Sequence, residues 1–218
     1  MNLAHFEAQL TAEQLNLWNS LDTPYRIQQY LDQIPYRREE RDRSPLNVLR
    51  DNQSHCLDGG LFAAAALHRI GFPALILDLV PEPGTDDDHM LAIFQQNGLF
   101  GAVAKSNFSG LRFREPVFRG LRELVMSYFE VFFNEHGQKT LRGYTRPMRI
   151  SSPYPMDWLT DETAVARLAR AFYLRKMVPV LPDLPIQLNL LDERSMQSGM
   201  LGTNRDELYP GSQAGAEH

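Results

Sequence analysis

The sequence predicts an α+β fold, in which an antiparallel sheet packs on one buried helix and helical segments precede and follow. Three observations carry this. The stretch Cys56-Leu57-Asp58-Gly59-Gly60-Leu61-Phe62-Ala63-Ala64-Ala65-Ala66-Leu67 is apolar almost all round, as a helix enclosed on every side must be. Two strand-like runs follow, 75–80 and 89–94, and the second leads through Gln96-Asn97-Gly98 into a return run over 99–104. Asn-Gly between apolar runs signals a hairpin. Helical spacing then resumes beyond 115, and helix, strands, helices is an α+β order.

The elements follow in order. Thr11-Ala12-Glu13-Gln14 reads as a capping box, and apolar stripes run through Leu15, Trp18 and Leu21 and then Ile27, Tyr30, Leu31 and Ile34. Pro24 breaks this region into two helices. The mixed charges of Arg37-Arg38-Glu39-Glu40-Arg41-Asp42-Arg43 read as a solvated loop. Ser44-Pro45 opens a short helix, with the serine as cap and the proline at the first helical position. Ser54 is the expected cap of the cysteine helix, Gly71 its terminator, and Pro73 forbids resumption. Pro81 to Asp88 is an acidic turn. Leu111-Arg112-Phe113 reads as a short strand, 115–133 as a helix, 134–147 as a loop, and 160–175 as a helix opened by Thr160-Asp161. The tail from Gly211 is polar, glycine-rich and expected to be mobile. These patterns suggest one domain over 1–218: a helical lead-in over 1–43, a core over 44–115 and a mainly helical extension over 116–218.

Composition bounds the function. The net charge is -5, and no basic face is concentrated enough for nucleic acid. A single cysteine forbids an intramolecular disulfide and a cysteine-built zinc or iron–sulfur site. No apolar run is long enough to span a membrane, and the first residues lack the pattern of a signal peptide. A cytoplasmic protein with no metal or organic cofactor is therefore expected. The oligomeric state is not legible.

The chemistry centres on Cys56. Free N–H groups and the dipole at a helix start favour a thiolate, and a cysteine nucleophile needs a base such as histidine. His89, at the start of the second strand, is the candidate base, and the three aspartates before it should favour its charged form. The bland alternative makes Cys56 a small buried hydrophobe and His89 a solvated strand-start residue. Gln53 and Asn52 are the amides available for an oxyanion hole, or else turn residues. His55 is structural or faces substrate. Asp58 suits the first helical turn, where the dipole favours an anion. Arg112, Arg114, Arg119 and Arg122 are expected to form surface salt links with Glu115 and Glu123. The stripe Tyr128, Phe129, Phe132, Phe133 reads as core.

Ser54-His55-Cys56-Leu57-Asp58-Gly59, Leu67-His68-Arg69-Ile70-Gly71-Phe72-Pro73-Ala74 and the segment from Asp88-His89-Met90 to Gly98-Leu99-Phe100-Gly101-Ala102-Val103 together resemble the transglutaminase-like superfamily. That superfamily has a papain-like α+β arrangement and includes bacterial cysteine peptidases and peptide-modifying enzymes. The resemblance spans roughly residues 45–110. It implies Cys56 as nucleophile and His89 as general acid/base, acting on a peptide or carboxamide carbonyl through an acyl-enzyme. The family places an acid at the end of the return strand. Here that position is Ala104, followed by Lys105-Ser106-Asn107, and Asn107 is the available orienting group because papain-like enzymes use asparagine in that role. The sequence thus implies a cysteine-dependent acyl-transfer enzyme with a protein or peptide substrate. The alternative is a catalytically degenerate domain that binds a peptide or partner protein in the same cleft.

Overall fold

Helix α5 (Cys56–Arg69) is buried from Leu57 to Leu67, as its all-round apolar sequence requires. On one side it receives the ring-bearing residues of the lead-in helices: Phe62 meets Trp18 at 5.5 Å and Tyr30 at 5.2 Å between ring centroids. On the other it lies against strands β1 (Leu75–Pro81) and β2 (His89–Gln96). The computed structural model describes residues 1–150 and 157–209. The expected mobility of the tail from Gly211 lies outside them.

Local signals act as read. Helix α1 (Leu3–Glu7) is followed by α2 (Ala12–Ser20), which carries the complete Thr11–Gln14 capping box; α3 (Pro24–Gln33) begins at the proline break. Ser44 caps α4 (Pro45–Asp51) through the N–H of Asn47. Gly71 takes a left-handed φ of 98° and ends α5. Asn97 and Gly98 take positive φ at the tip of the hairpin that joins β2 to β3 (Leu99–Val103). The cap of α5 is the exception. Ser54 is held by backbone bonds to Pro35 and Arg37, so capping passes to His55, whose Nδ1 accepts the N–H of Leu57 while Asp58 reaches back to the His55 N–H.

The sheet order is β4-β3-β2-β1-β5-β7, all antiparallel, with β4 (Arg114–Phe118), β5 (Leu141–Thr145) and β7 (Met177–Pro179); β6 (Met148–Arg149) pairs with the other end of β1. Two of these strands, β4 and β5, replace expected helix and loop. A short strand is expected at 111–113, yet 109–111 is a 3-10 turn and the strand begins at Arg114. Helix is expected over 115–133, yet α6 (Leu121–Met126) is its only α-helical part. The expected loop over 134–147 contains β5. The cause is the sheet's need for partners along its open edges, a demand that no local signal reports. Helices α7 (Glu162–Tyr173) and α8 (Glu193–Gly199) follow, and a 3-10 turn over Arg205–Glu207 lies beyond them.

Strand alternation sorts the core into two layers. Ile76, Met90, Ala92 and Phe94 pack with α5, α7 and the lead-in helices; Leu77, Leu79, Leu91 and Ile93 pack with α6 and the aromatic residues Tyr128, Phe129 and Phe132. The charged segment before α4 is less solvated than its composition suggests. Arg43 is 2% exposed and joins Glu39, Asp51 and Asp58. The basic run beyond the hairpin is also spent differently from expectation. Arg114 lies over the Tyr128 ring, Arg112 pairs with Asp32, and Arg122 donates to the Val180 carbonyl; Glu123 accepts the backbone N–H of Arg119.

Candidate functional site

Cys56 is the first residue of α5, and its thiol rests over the entry to β2. Its sulfur lies 3.8 Å from the carbonyl oxygen of Asp88, the Met90 N–H points toward it, and the Tyr36 hydroxyl bonds to it. The surroundings oppose a thiolate. Burial of the sulfur, then the negative charge of Asp88 and Asp87, push the thiol well above its ordinary value, and Asp78 adds to this. The favourable helix start, about half a charge, is outweighed first by burial of the sulfur and then by the carboxyl groups that converge on it.

His89 heads β2 opposite Leu79 and is 4% exposed. Its neighbours Asp88 and Met90 present their backbone to the Cys56 sulfur, and alternation turns the side chain between them to the other face of the sheet. There Nε2 lies 2.7 Å from the carbonyl of Leu111, so this nitrogen carries the proton and donates. Burial lowers the imidazole to about 4; the Leu111 carbonyl opposes this and Arg114 adds to it. The expected effect of the preceding aspartates is absent because each is engaged elsewhere. Asp86 accepts from Thr140, Asp87 pairs with Arg38, and Asp88 accepts from Tyr173. The expected thiolate–imidazolium pair is therefore not what the structure brings together: the two groups occupy opposite faces of β2, both uncharged.

Asn107 does not orient His89. Its carboxamide is closed on the backbone of Asn204, donating to that carbonyl at 2.8 Å and accepting that N–H at 2.9 Å. Ala104, at the position where the family carries an acid, is buried, and both its backbone groups are bonded to the side chain of Gln28. Lys105 turns inward and its Nζ donates to the Leu31 and Ile34 carbonyls at the end of α3. Burial lowers it to about 8.

The remaining residues have structural roles. Asn52 takes φ 51° and closes α4, and the Gln53 amide reaches Glu39 at 3.4 Å. His55 is the cap of α5. Asp58 is fully buried, accepts the Arg43 N–H at 2.7 Å, and is raised by burial to about 8. Asp42, His55 and Asp58 bring ligand-type atoms within 4.8 Å of one another. They do not form a cation site: the lone pair of His55 Nδ1 is taken by Leu57, its Nε2 therefore carries the proton, and the Arg43 guanidinium already stands 3.6 Å from Asp58.

Sequence reasoning missed Tyr36, Asp78 and Tyr173 around the sulfur, and assigned Asp88 to His89 instead. Asp78 had a readable signal, an acid inside an otherwise apolar strand. Beside this cluster opens a cavity of about 400 Å³, lined among others by Asp32, Tyr36, Arg37, Lys105, Asn107 and Arg112.

No family model matches the chain, and no curated protein does. Among solved structures, calcium-bound LapG of Legionella pneumophila is similar at 12% identity over 78% of this chain and 96% of that one, with a TM-score of 0.40. EGTA-treated LapG is similar at 14% identity over 49% of this chain and 70% of that one, with a TM-score of 0.37. The α+β class itself stands on the antiparallel sheet and the helix it packs against.

Proposed function

We propose that the chain is a binding domain in a transglutaminase-like arrangement, which takes a peptide or a partner protein in the cleft beside the start of β2 and does not perform Cys–His acyl transfer. One observation carries this reading: Cys56 and His89, the pair that would do the chemistry, lie on opposite faces of one strand. A general base must reach the proton it removes, directly or through one water. An imidazole that donates to Leu111 across the sheet does not.

The test is the pH dependence of Cys56 alkylation by iodoacetamide in the unaltered chain, in His89→Ala and in His89→Gln, which keeps a donor for Leu111. The expected thiol titrates above the free-cysteine value of about 8.5, and neither substitution moves it. A thiol that titrates well below that value and rises in both variants would overturn the reading and restore a cysteine-dependent hydrolase.

A further inference from the structure

The cleft beside Tyr36 is spanned by the chain's own residues 203–209, and the contacts follow a pattern. Asn107 pairs with both backbone groups of Asn204, as a neighbouring strand would, and its own carbonyl accepts from Thr203. Asn204 caps a 3-10 turn over Arg205–Glu207. The turn presents the Glu207 carboxylate to the Arg37 guanidinium at 2.9 Å and to the Arg38 N–H. Two residues further, the Arg38 guanidinium stands 5.1 Å from the centre of the Tyr209 ring, and it donates to the Leu208 carbonyl. The surface thus reads backbone at one position, an anion three residues on, and an aromatic ring two beyond that. The Asn107 carboxamide reads only main chain, although its backbone carbonyl also takes the Thr203 side-chain hydroxyl. The selectivity rests with Arg37 and Arg38.

We infer that this surface is a docking groove for an acidic, aromatic-containing turn of another protein, with a carboxylate and a ring spaced as in Glu207 and Tyr209, and that residues 203–209 are its tethered occupant. The inference rests on the binding reading above and names the partner for that same cleft. Tethering fixes the regulation. A segment in the same chain meets its site at an effective concentration in the millimolar range, so a free peptide of equal intrinsic affinity is largely excluded until the segment is released. The grip is local and charge-dependent, since Glu207 carries the only carboxylate that pairs with Arg37 among the described residues.

The experiment uses the full chain and a fluorescein-labelled nine-residue peptide of the sequence Leu201–Tyr209, read by anisotropy. Glu207→Arg should release the segment and bind the peptide at least about tenfold more tightly than the unaltered chain does; Glu207→Gln should lie between them. Adding Arg38→Glu to Glu207→Arg should abolish the binding. So should replacing the glutamate of the peptide by glutamine. Far-UV circular dichroism confirms that each variant is folded. A folded Glu207→Arg chain that binds the peptide no better than the unaltered one, or that binds the glutamine peptide equally well, overturns the proposal. The alkylation experiment reads a different atom. An inert thiol with no peptide binding sinks the groove and leaves the binding reading; an activated thiol sinks that reading whatever the peptide does.

Discussion

Asp78 shows how far a single residue departs from its ordinary behaviour. It is 4% exposed, its Oδ1 has no hydrogen-bond partner, and burial, reinforced by Asp88, raises its carboxyl from 3.8 to about 8. A group raised in this way contributes its stability fully below the unfolded value and loses it as pH rises through the folded one. The buried histidines act oppositely. His55 and His89, lowered to about 4 from 6.5, contribute above 6.5 and lose it as pH falls toward 4. Between pH 6.5 and 8 the carboxyls therefore dominate, since Lys105, lowered to about 8, acts in the opposite sense mainly above that value. Raising the pH from 6.5 to 8 should cost about 2 kcal/mol of stability for each such carboxyl, so thermal unfolding should occur at lower temperature at pH 8. Asp78→Asn should flatten that slope and stabilise the chain at pH 8; a melting temperature that rises with pH over this window would contradict the assignment.

Legibility at this scale followed the range of the forces. The sequence placed Cys56 at a helix start and His89 at a strand start, and both positions are as read. The charges it expected of them are not, because those depend on three carboxyl groups and a strand face assembled from distant segments. Arg43 was read as solvated for the same reason: the carboxylates that enclose it come from 39, 51 and 58 and are brought together only by the turn into α4.

Among the elements, α5 shows why glycine sits where a helix would prefer alanine. A Cβ at Gly59 would fall on the Cβ of Lys105, and one at Gly60 would meet Met90 Cγ and Sδ at 2.7 Å. These two residues let α5 approach the end of β3 and the face of β2 closely. Gly59→Ala should gain helix propensity yet lose about 1–3 kcal/mol through overpacking, read by chemical denaturation. A variant as stable as the parent would show that the contact with Lys105 yields. Caps and turns were legible because they are written within four residues; Thr11 with Gln14, Ser44 before Pro45, and Asn97-Gly98 all act as expected. Strands β4 and β5 were not: the apolar residues of β4 also satisfy a helical spacing, the glycine within β5 reads as a breaker, and only the open edges of β3 and β1 decide.

Across the whole molecule, Arg43 fastens the charged segment to α4 and α5, and its loss would strand the buried carboxyl of Asp58 along with Glu39 and Asp51. Arg43→Ala should cost about 3–5 kcal/mol in equilibrium unfolding. Arg43→Lys should recover little, since one ammonium does not reproduce the guanidinium's fork. A loss below about 1 kcal/mol in the alanine variant would show the segment to be held by other contacts.

The strand order has a consequence in time. Neighbours β1 to β4 follow one another along the chain and can zip as successive hairpins, but Leu79 takes its second partner from Tyr144, far downstream. During synthesis, the outer edge of β1, rich in leucine and isoleucine, stands open from the moment the hairpins form until β5 emerges. Closing that gap joins segments of high sequence separation, the slow kind of step in folding. Until then the chain carries an unpaired apolar strand edge, the feature by which nascent chains adhere to one another. The yield of refolded protein should accordingly fall as its concentration rises, although the finished sheet has that edge covered.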